Sequence, residues 1–107
     1  MAGREDIRYQ LAAITHWYRL YDMQDQVMKH GKTEEERWAA YDRKAKSEEM
    51  FYQLSRWFID RHVPLGYDER AKEYYALTDP PLRLDMEAFL EGRKPPSEHA
   101  PGSADQS

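Results

Sequence analysis

The stretch Lys29-His30-Gly31-Lys32-Thr33-Glu34-Glu35-Glu36 constrains this chain more than any other, because it ends one helix and starts a second within a few residues. Gly31 stands just past a helix C-terminus, where a residue able to take positive φ is favoured, and Lys29 and His30 complement the negative end of the helix dipole. Thr33 and Glu36 match a capping box, in which the Thr hydroxyl accepts from a backbone N–H three residues on and the Glu carboxylate accepts from the cap's own N–H. Glu34, Glu35 and Glu36 also place three carboxylates at the positive end of the second helix. The stretch therefore predicts a tight αα-hairpin. Such a hairpin is an architecture without chemistry of its own, so function has to be sought on its faces.

On the first helix, over residues 4–30, Ile7, Leu11, Ile14, Tyr18, Tyr21 and Met28 recur at spacings of four and three, with Asp25 in the remaining place. A second row, Ala13, Trp17, Leu20 and Val27, widens the apolar arc beyond half of the helix. The second helix is expected over 33–62, stopped by Pro64, which disfavours helical geometry at Val63. Its inward arc reads Trp38, Tyr41, Ala45, Phe51, Tyr52, Leu54, Phe58 and Ile59. A level hairpin about Gly31 and Lys32 pairs Leu11 with Tyr52, Ile14 with Glu49 and Asp25 with Trp38.

Two shorter helices are expected after the hairpin. Asp68 caps one over 68–77, with Ala71, Tyr74, Tyr75 and Leu77 along it, and Asp79 followed by Pro80 starts another over 80–91, closed by Gly92. Residues 93–107 hold almost nothing that can be buried and read as a disordered tail. The fold expected is all-α, a single domain over 1–92. It is a long antiparallel hairpin with two short C-terminal helices, dimerising into a four-helix bundle.

Charge narrows the partners. Of the 107 residues 34% are charged, and the net charge is −4. Residues 1–63 carry eleven basic and eleven acidic side chains, and residues 64–91 carry three and seven. Alternating signs without a concentrated basic face argue against a polyanion binder. The chain has no cysteine, which removes disulfides, thiolate metal sites and a Cys nucleophile together. Arg4, Glu5, Asp6 and Arg8 interrupt the first apolar stretch, so no signal peptide or membrane span is read, and a cytoplasmic protein is expected.

Polar residues within the apolar arcs are the candidates for chemistry. Tyr41, Glu48, Ser55 and His62 stand seven apart and form one column, taken as inward. His16 falls opposite Ser47 and Glu48 in the level register. A pocket built from His16, Glu48, Tyr52 and His62 would let a carboxylate and an imidazole shift one another's pKa, as acid–base and metal sites require. The structural alternative is favoured: Glu48 pairs with Lys44 or His16 in a register-setting polar layer, and Asp25 accepts from the Trp38 indole or a backbone N–H. A ferritin-like di-metal site needs Glu-x-x-His on inward faces, and no such pair occurs, so no metal or cofactor is expected. Gly-rich phosphate loops and a Gly-x-Ser-x-Gly elbow are also absent from the sequence.

Fourteen aromatic residues are the remaining signal. Trp17, Tyr18, Tyr21, Trp38, Tyr41, Tyr52, Trp57 and Phe58 exceed what one helix–helix seam can hide, and Tyr, Trp and Arg anchor protein interfaces. A homodimer is the favoured partner, ahead of another protein, with Trp17, Tyr52 and Trp57 as interface anchors. Arg43, Arg56, Trp57 and Arg61 could make an RNA-stacking strip, which Asp42 and Asp60 oppose. The function expected is a non-catalytic intracellular assembly, adaptor or regulatory subunit. The competing class is a helical bundle with an internal small-molecule or metal pocket, possible as an enzyme.

Overall fold

The computed structural model describes residues 3–95. Two helices of 27 residues, α1 (Arg4–His30) and α2 (Glu34–Asp60), form the long hairpin. They are followed by strands β1 (Leu65–Asp68) and β2 (Glu73–Ala76) and by a short helix α3 (Met86–Leu90). The tail expected from residue 93 lies, from residue 96 on, outside the described residues.

The turn carries the capping box. Thr33 Oγ1 accepts from the Glu36 N–H at 3.0 Å, and Glu36 Oε1 accepts from the N–H groups of Lys32 and Thr33 at 2.8 and 3.4 Å. Gly31 is extended, with φ −61° and ψ 148°, rather than left-handed. Its N–H donates to the Val27 carbonyl at 2.7 Å, and a Cβ there would sit 2.6 Å from that same oxygen. Close approach of the backbone, not handedness, is what selects glycine at this place.

The register differs from the level hairpin. Tyr18 meets Phe51, with ring centroids 5.8 Å apart, and Asp25 meets Lys44 at 2.8 Å, each six residues farther along α2 than expected. Two causes act in the same direction. Gly31 and Thr33 are extended, so the chain travels past the end of α1 before α2 begins. Helical side chains also lean toward their own N-terminus, away from the turn on α1 and toward it on α2.

Residues 65–76 form an antiparallel β-hairpin where a helix over 68–77 was expected, pairing Leu65 with Ala76, Gly66 with Tyr75, Tyr67 with Tyr74 and Asp68 with Glu73. Asp68 does accept from two backbone N–H groups, those of Arg70 and Ala71 at 3.0 and 3.1 Å, but it closes a turn rather than opening a helix. Lys72, at φ 57°, reverses the chain into β2. Tyrosines favour a half-buried pleated surface. One face of the hairpin puts Leu65, Tyr67, Tyr74 and Ala76 toward the helices, while on the other the Arg83 guanidinium lies 5.3 Å from the Tyr75 ring centre and pairs with Asp68 and Glu73. Gly66 leaves room for that ring, since a Cβ there would come within 2.6 Å of it.

The helix expected over 80–91 is also shortened, to five residues, with Asp85 as its cap accepting from the Ala88 N–H at 3.1 Å. The segment before it is extended and includes a cis Asp79–Pro80 peptide. Leu82 bridges Ala76, and Leu82 and Leu84 point inward around the exposed Arg83, which is strand alternation. Gly92, at φ 73°, closes α3 as anticipated. The fold is thus mostly helical with a small two-stranded sheet in place of one helix. Its core gathers Ile7, Leu11 and Ile14 of α1, Phe58 of α2, Ala76 of β2 and Leu82.

Candidate interaction face

Heptad position decides which side chains of α2 are used against α1. Ala40, Lys44, Ser47, Phe51, Leu54 and Phe58 form the column turned to α1, and Ala40, Ser47 and Phe58 are buried in it. A second column, Trp38, Tyr41, Ala45, Glu48, Tyr52, Ser55 and Ile59, runs about 100° round the helix. This second column is left outward. Trp38, Tyr41, Tyr52 and Ile59 are 62%, 53%, 60% and 65% exposed. The arc read as inward is therefore split: Phe51, Leu54 and Phe58 are inward, whereas Trp38, Tyr41, Ala45, Tyr52 and Ile59 face out. The column Tyr41, Glu48, Ser55 and His62 is likewise outward, with Ser55 half-buried and donating to the Phe51 carbonyl at 3.0 Å.

Two hollows lie along this face. One, of about 430 Å³, is lined by Met28, Glu34, Arg37, Trp38 and Tyr41 near the turn, with the Trp38 and Tyr41 rings edge-to-face at 5.8 Å. The other, of about 170 Å³, is lined by Tyr18, Tyr21, Glu48, Phe51 and Tyr52. Behind it stands an aromatic wall. Tyr18 contacts Tyr67 and Tyr74 edge-on, both at 5.5 Å, and Tyr67 and Tyr74 contact each other at 4.9 Å. Burial pushes the Tyr74 phenol up to about 12 and also raises that of Tyr67. Both phenols are thereby favoured in the neutral form, and their rings pack against Tyr18 and, for Tyr74, against Phe51.

The candidate pocket residues are separated by the fold. Glu48 and Tyr52 line the smaller cleft together, which contains neither His16 nor His62. His16 packs between the Trp17 and Phe89 rings, at 5.5 and 5.2 Å, on the side of α1 turned to α3. Partial burial, and then Arg19, lower its pKa below the ordinary 6.5, so it is an uncharged packing ring at neutral pH. His62 is exposed in a left-handed conformation at the end of α2, with φ 57°. Asp25 binds Lys44 across the hairpin and Lys29 on its own helix, at 2.8 and 3.0 Å, rather than the Trp38 indole. Hydrogen bonds from Lys44 and then Lys29 hold its carboxyl below the usual carboxylate range. With Lys44 so engaged, the Glu48 carboxylate has no hydrogen bond or ion pair with a described residue.

Of the candidate anchors, Tyr52 is exposed and the two tryptophans are half-buried. Trp57 packs edge-to-face on Phe58 at 5.0 Å, and Trp17 lines a shallow hollow with Leu20, Gln24, Arg43, Lys46 and Ser47. Trp38, Tyr41 and Ile59 were not singled out as anchors from the sequence, although their spacing with Tyr52 carries the signal. Tyr18 and Tyr21 were read in the core stripe and among the surplus aromatic residues but not as cleft lining, because cleft and seam share the same heptad row. Among the described residues no group of three or more His, Asp or Glu could hold a metal ion. No described helix is long and apolar enough to cross a membrane. Comparison with protein-family models, curated proteins and solved structures finds no match.

Proposed function

We propose that this chain is a non-catalytic interaction subunit that holds another protein along the outward column of α2. The observation that carries this reading is the alignment of Trp38, Tyr41, Tyr52 and Ile59, all more than half exposed, at one helical face. Aromatic side chains left unused by a fold are the usual anchors of interfaces, and an apolar column with spacing of three and four matches an amphipathic helix laid alongside it. Charge supports the partner's character. Glu35, Asp42 and Glu49 recur every seven residues along the outer edge of the column, all exposed, with Arg56 next in the series. The complementary partner is a helix with basic residues beside its apolar stripe.

A second copy of the chain, the partner favoured from composition, fits this column less well. A two-fold axis across its middle, near residue 48, sets Glu48 against Glu48, and like charges meeting directly oppose association. RNA is disfavoured by the Arg61 guanidinium, which lies 4.3 Å from the Trp57 ring centre and covers the surface a base would stack on. An intracellular setting remains part of this reading, on the absence of cysteine.

The test compares the wild-type chain with the Trp38→Ala/Tyr52→Ala double variant. Circular dichroism should show unchanged helical content, since both rings are exposed. A protein bound by the wild type should be held at least about tenfold more weakly by the variant and should be released by raised salt. Equal binding by the variant would remove the proposal. Sedimentation showing a wild-type dimer that the same variant dissolves would assign the column to a second copy instead.

A further inference from the structure

We infer that the cleft between Tyr18, Tyr21, Phe51, Tyr52 and Glu48 is an aromatic cage for an alkylated ammonium group, of the kind carried by a trimethylated lysine side chain or by choline. The inference concerns ligand chemistry at one point of the α2 face and stands whether or not a helix docks along the rest of it.

Four rings and one carboxylate line this cleft. Phe51 is tilted against Tyr18 at 5.8 Å and stands edge-on to Tyr52 at 6.0 Å, so adjacent walls meet at an angle instead of stacking flat and closing the space. A π-face turned toward such a hollow attracts a cation within about 6 Å of its centre. One wall already does so internally, since the Lys44 ammonium lies 5.2 Å from the Tyr21 ring centre. Asp25 balances that ammonium at 2.8 Å. Glu48 makes no hydrogen bond or ion pair with a described residue and feels Lys44 only as a charge at longer range, so its carboxylate oxygens remain available to the cleft.

Size and donor count select among cations. At about 170 Å³ the cleft is smaller than the ~300 Å³ at which sites for drug-sized ligands begin, so it holds a head group and not a whole ligand. A primary ammonium keeps a tight hydration shell and asks for three acceptors, and a guanidinium asks for up to five. The lining offers one carboxylate and phenol oxygens, against four apolar ring surfaces. A quaternary ammonium has no N–H to satisfy, spreads its charge over its methyl groups and buries them against rings. The carboxylate then supplies long-range attraction without a hydrogen bond.

The experiment is a titration of the isotope-labelled full chain with tetramethylammonium chloride at constant ionic strength, followed by amide chemical shifts. Saturable shifts centred on Tyr18, Tyr21, Glu48, Phe51 and Tyr52 are expected. The uncharged isostere 3,3-dimethylbutanol, ammonium and guanidinium should each bind at least about tenfold more weakly. Tyr52→Ala and Glu48→Gln alter exposed side chains and should each weaken tetramethylammonium about tenfold, whereas Tyr52→Phe should retain it. Equal binding of the uncharged isostere, tighter binding of guanidinium, or indifference to both Tyr52→Ala and Glu48→Gln would overturn the cage. The source is then read from two further probes. A basic peptide carrying trimethyllysine that binds tenfold tighter than choline assigns the cage to a protein ligand, and the reverse order assigns it to a small molecule. A column that holds no protein would leave the tetramethylammonium titration of the wild-type chain unchanged, and Trp38→Ala alone should not alter it, so the two proposals fail separately.

Discussion

The two ends of the helical hairpin are built differently. At the open end Ile7, Leu11, Ile14 and Phe58 are sealed beneath the β-hairpin and Leu82, whereas from His16 to Lys46 only Ala40 is buried. The helices are equally long and both ends carry large apolar side chains, so composition does not separate them. The difference lies in the third layer. A helix pair covers one stripe on each partner, and the remaining apolar surface is buried only where residues 63–90 reach across it. Near the turn nothing within the described residues does so, and Trp38 and Tyr41 stay exposed. The buried core is therefore concentrated at the open end, whereas the exposed column of α2 runs the length of the helix, from Trp38 and Tyr41 near the turn to Tyr52 and Ile59 beside that core.

Substitutions at the two ends should break this comparison if it is wrong. The largest effect is expected from Phe58→Ala, which empties a fully buried ring position and should cost about 3–5 kcal/mol in urea unfolding. Trp38→Ala, an equally drastic truncation near the turn, should stay within about 0.5 kcal/mol. Similar costs at both sites would erase the distinction. A smaller loss, about 1–3 kcal/mol, is expected from Thr15→Val. Thr15 is fully buried on α1 and its Oγ1 accepts from the Tyr74 N–H at 3.0 Å, so the isosteric change leaves that donor unpaired where the sheet meets the helices. Faster hydrogen exchange at Tyr74, with the turn amides unchanged, would locate the damage.

The smallest effect concerns acid. Asp25, near the turn, titrates below its ordinary 3.8 because Lys44 and then Lys29 donate to it, and Asp68, in the β-hairpin, does so through the Ala71 N–H and then Arg83. In both cases the folded state binds fewer protons than the unfolded chain. The stabilisation is complete above about pH 4 and is lost as pH falls through the lowered folded value. Asp25→Asn should flatten the fall in Tm below about pH 4 without abolishing it, because Asp68 still contributes. An unaltered acid limb would mean that the Asp25–Lys44 bridge does not persist in solution.

Some of this organisation was legible from residues alone. Thr33 and Glu36 announce the capping box because each partner is fixed by local geometry, and the hairpin follows from it. The β-hairpin was hidden by coincidence: Ala71, Tyr74, Tyr75 and Leu77 fit helical spacing, and Asp68 is as good a turn-former as a helix cap. Leu82-Arg83-Leu84 carried a two-residue alternation that the preceding prolines disguised as a helix start. The face of α2 was ambiguous for a different reason. Its two columns both run at spacings of three and four, one about 100° from the other, and only the position of α1 decides which is buried. The pairing of His16 with Glu48 failed on two counts: the level register is displaced by two extended turn residues and the lean of the side chains, and His16 faces α3 while Glu48 belongs to the outward column of α2.

The contact of the Asp85 N–H with the Arg8 carbonyl, at 3.2 Å, joins the beginning of α1 to the segment that leads into α3. Together with the Thr15 bond to β2, it makes the segment from β2 to α3 a clasp over α1. Contacts this distant in sequence form late, since the intervening chain must first be ordered, whereas the helical hairpin needs only its own turn. On this ground Leu11, Ile14 and Phe58 are expected to stay open to water during synthesis until residues 65–90 have followed. The protein becomes a closed core only when its final strands and helix arrive.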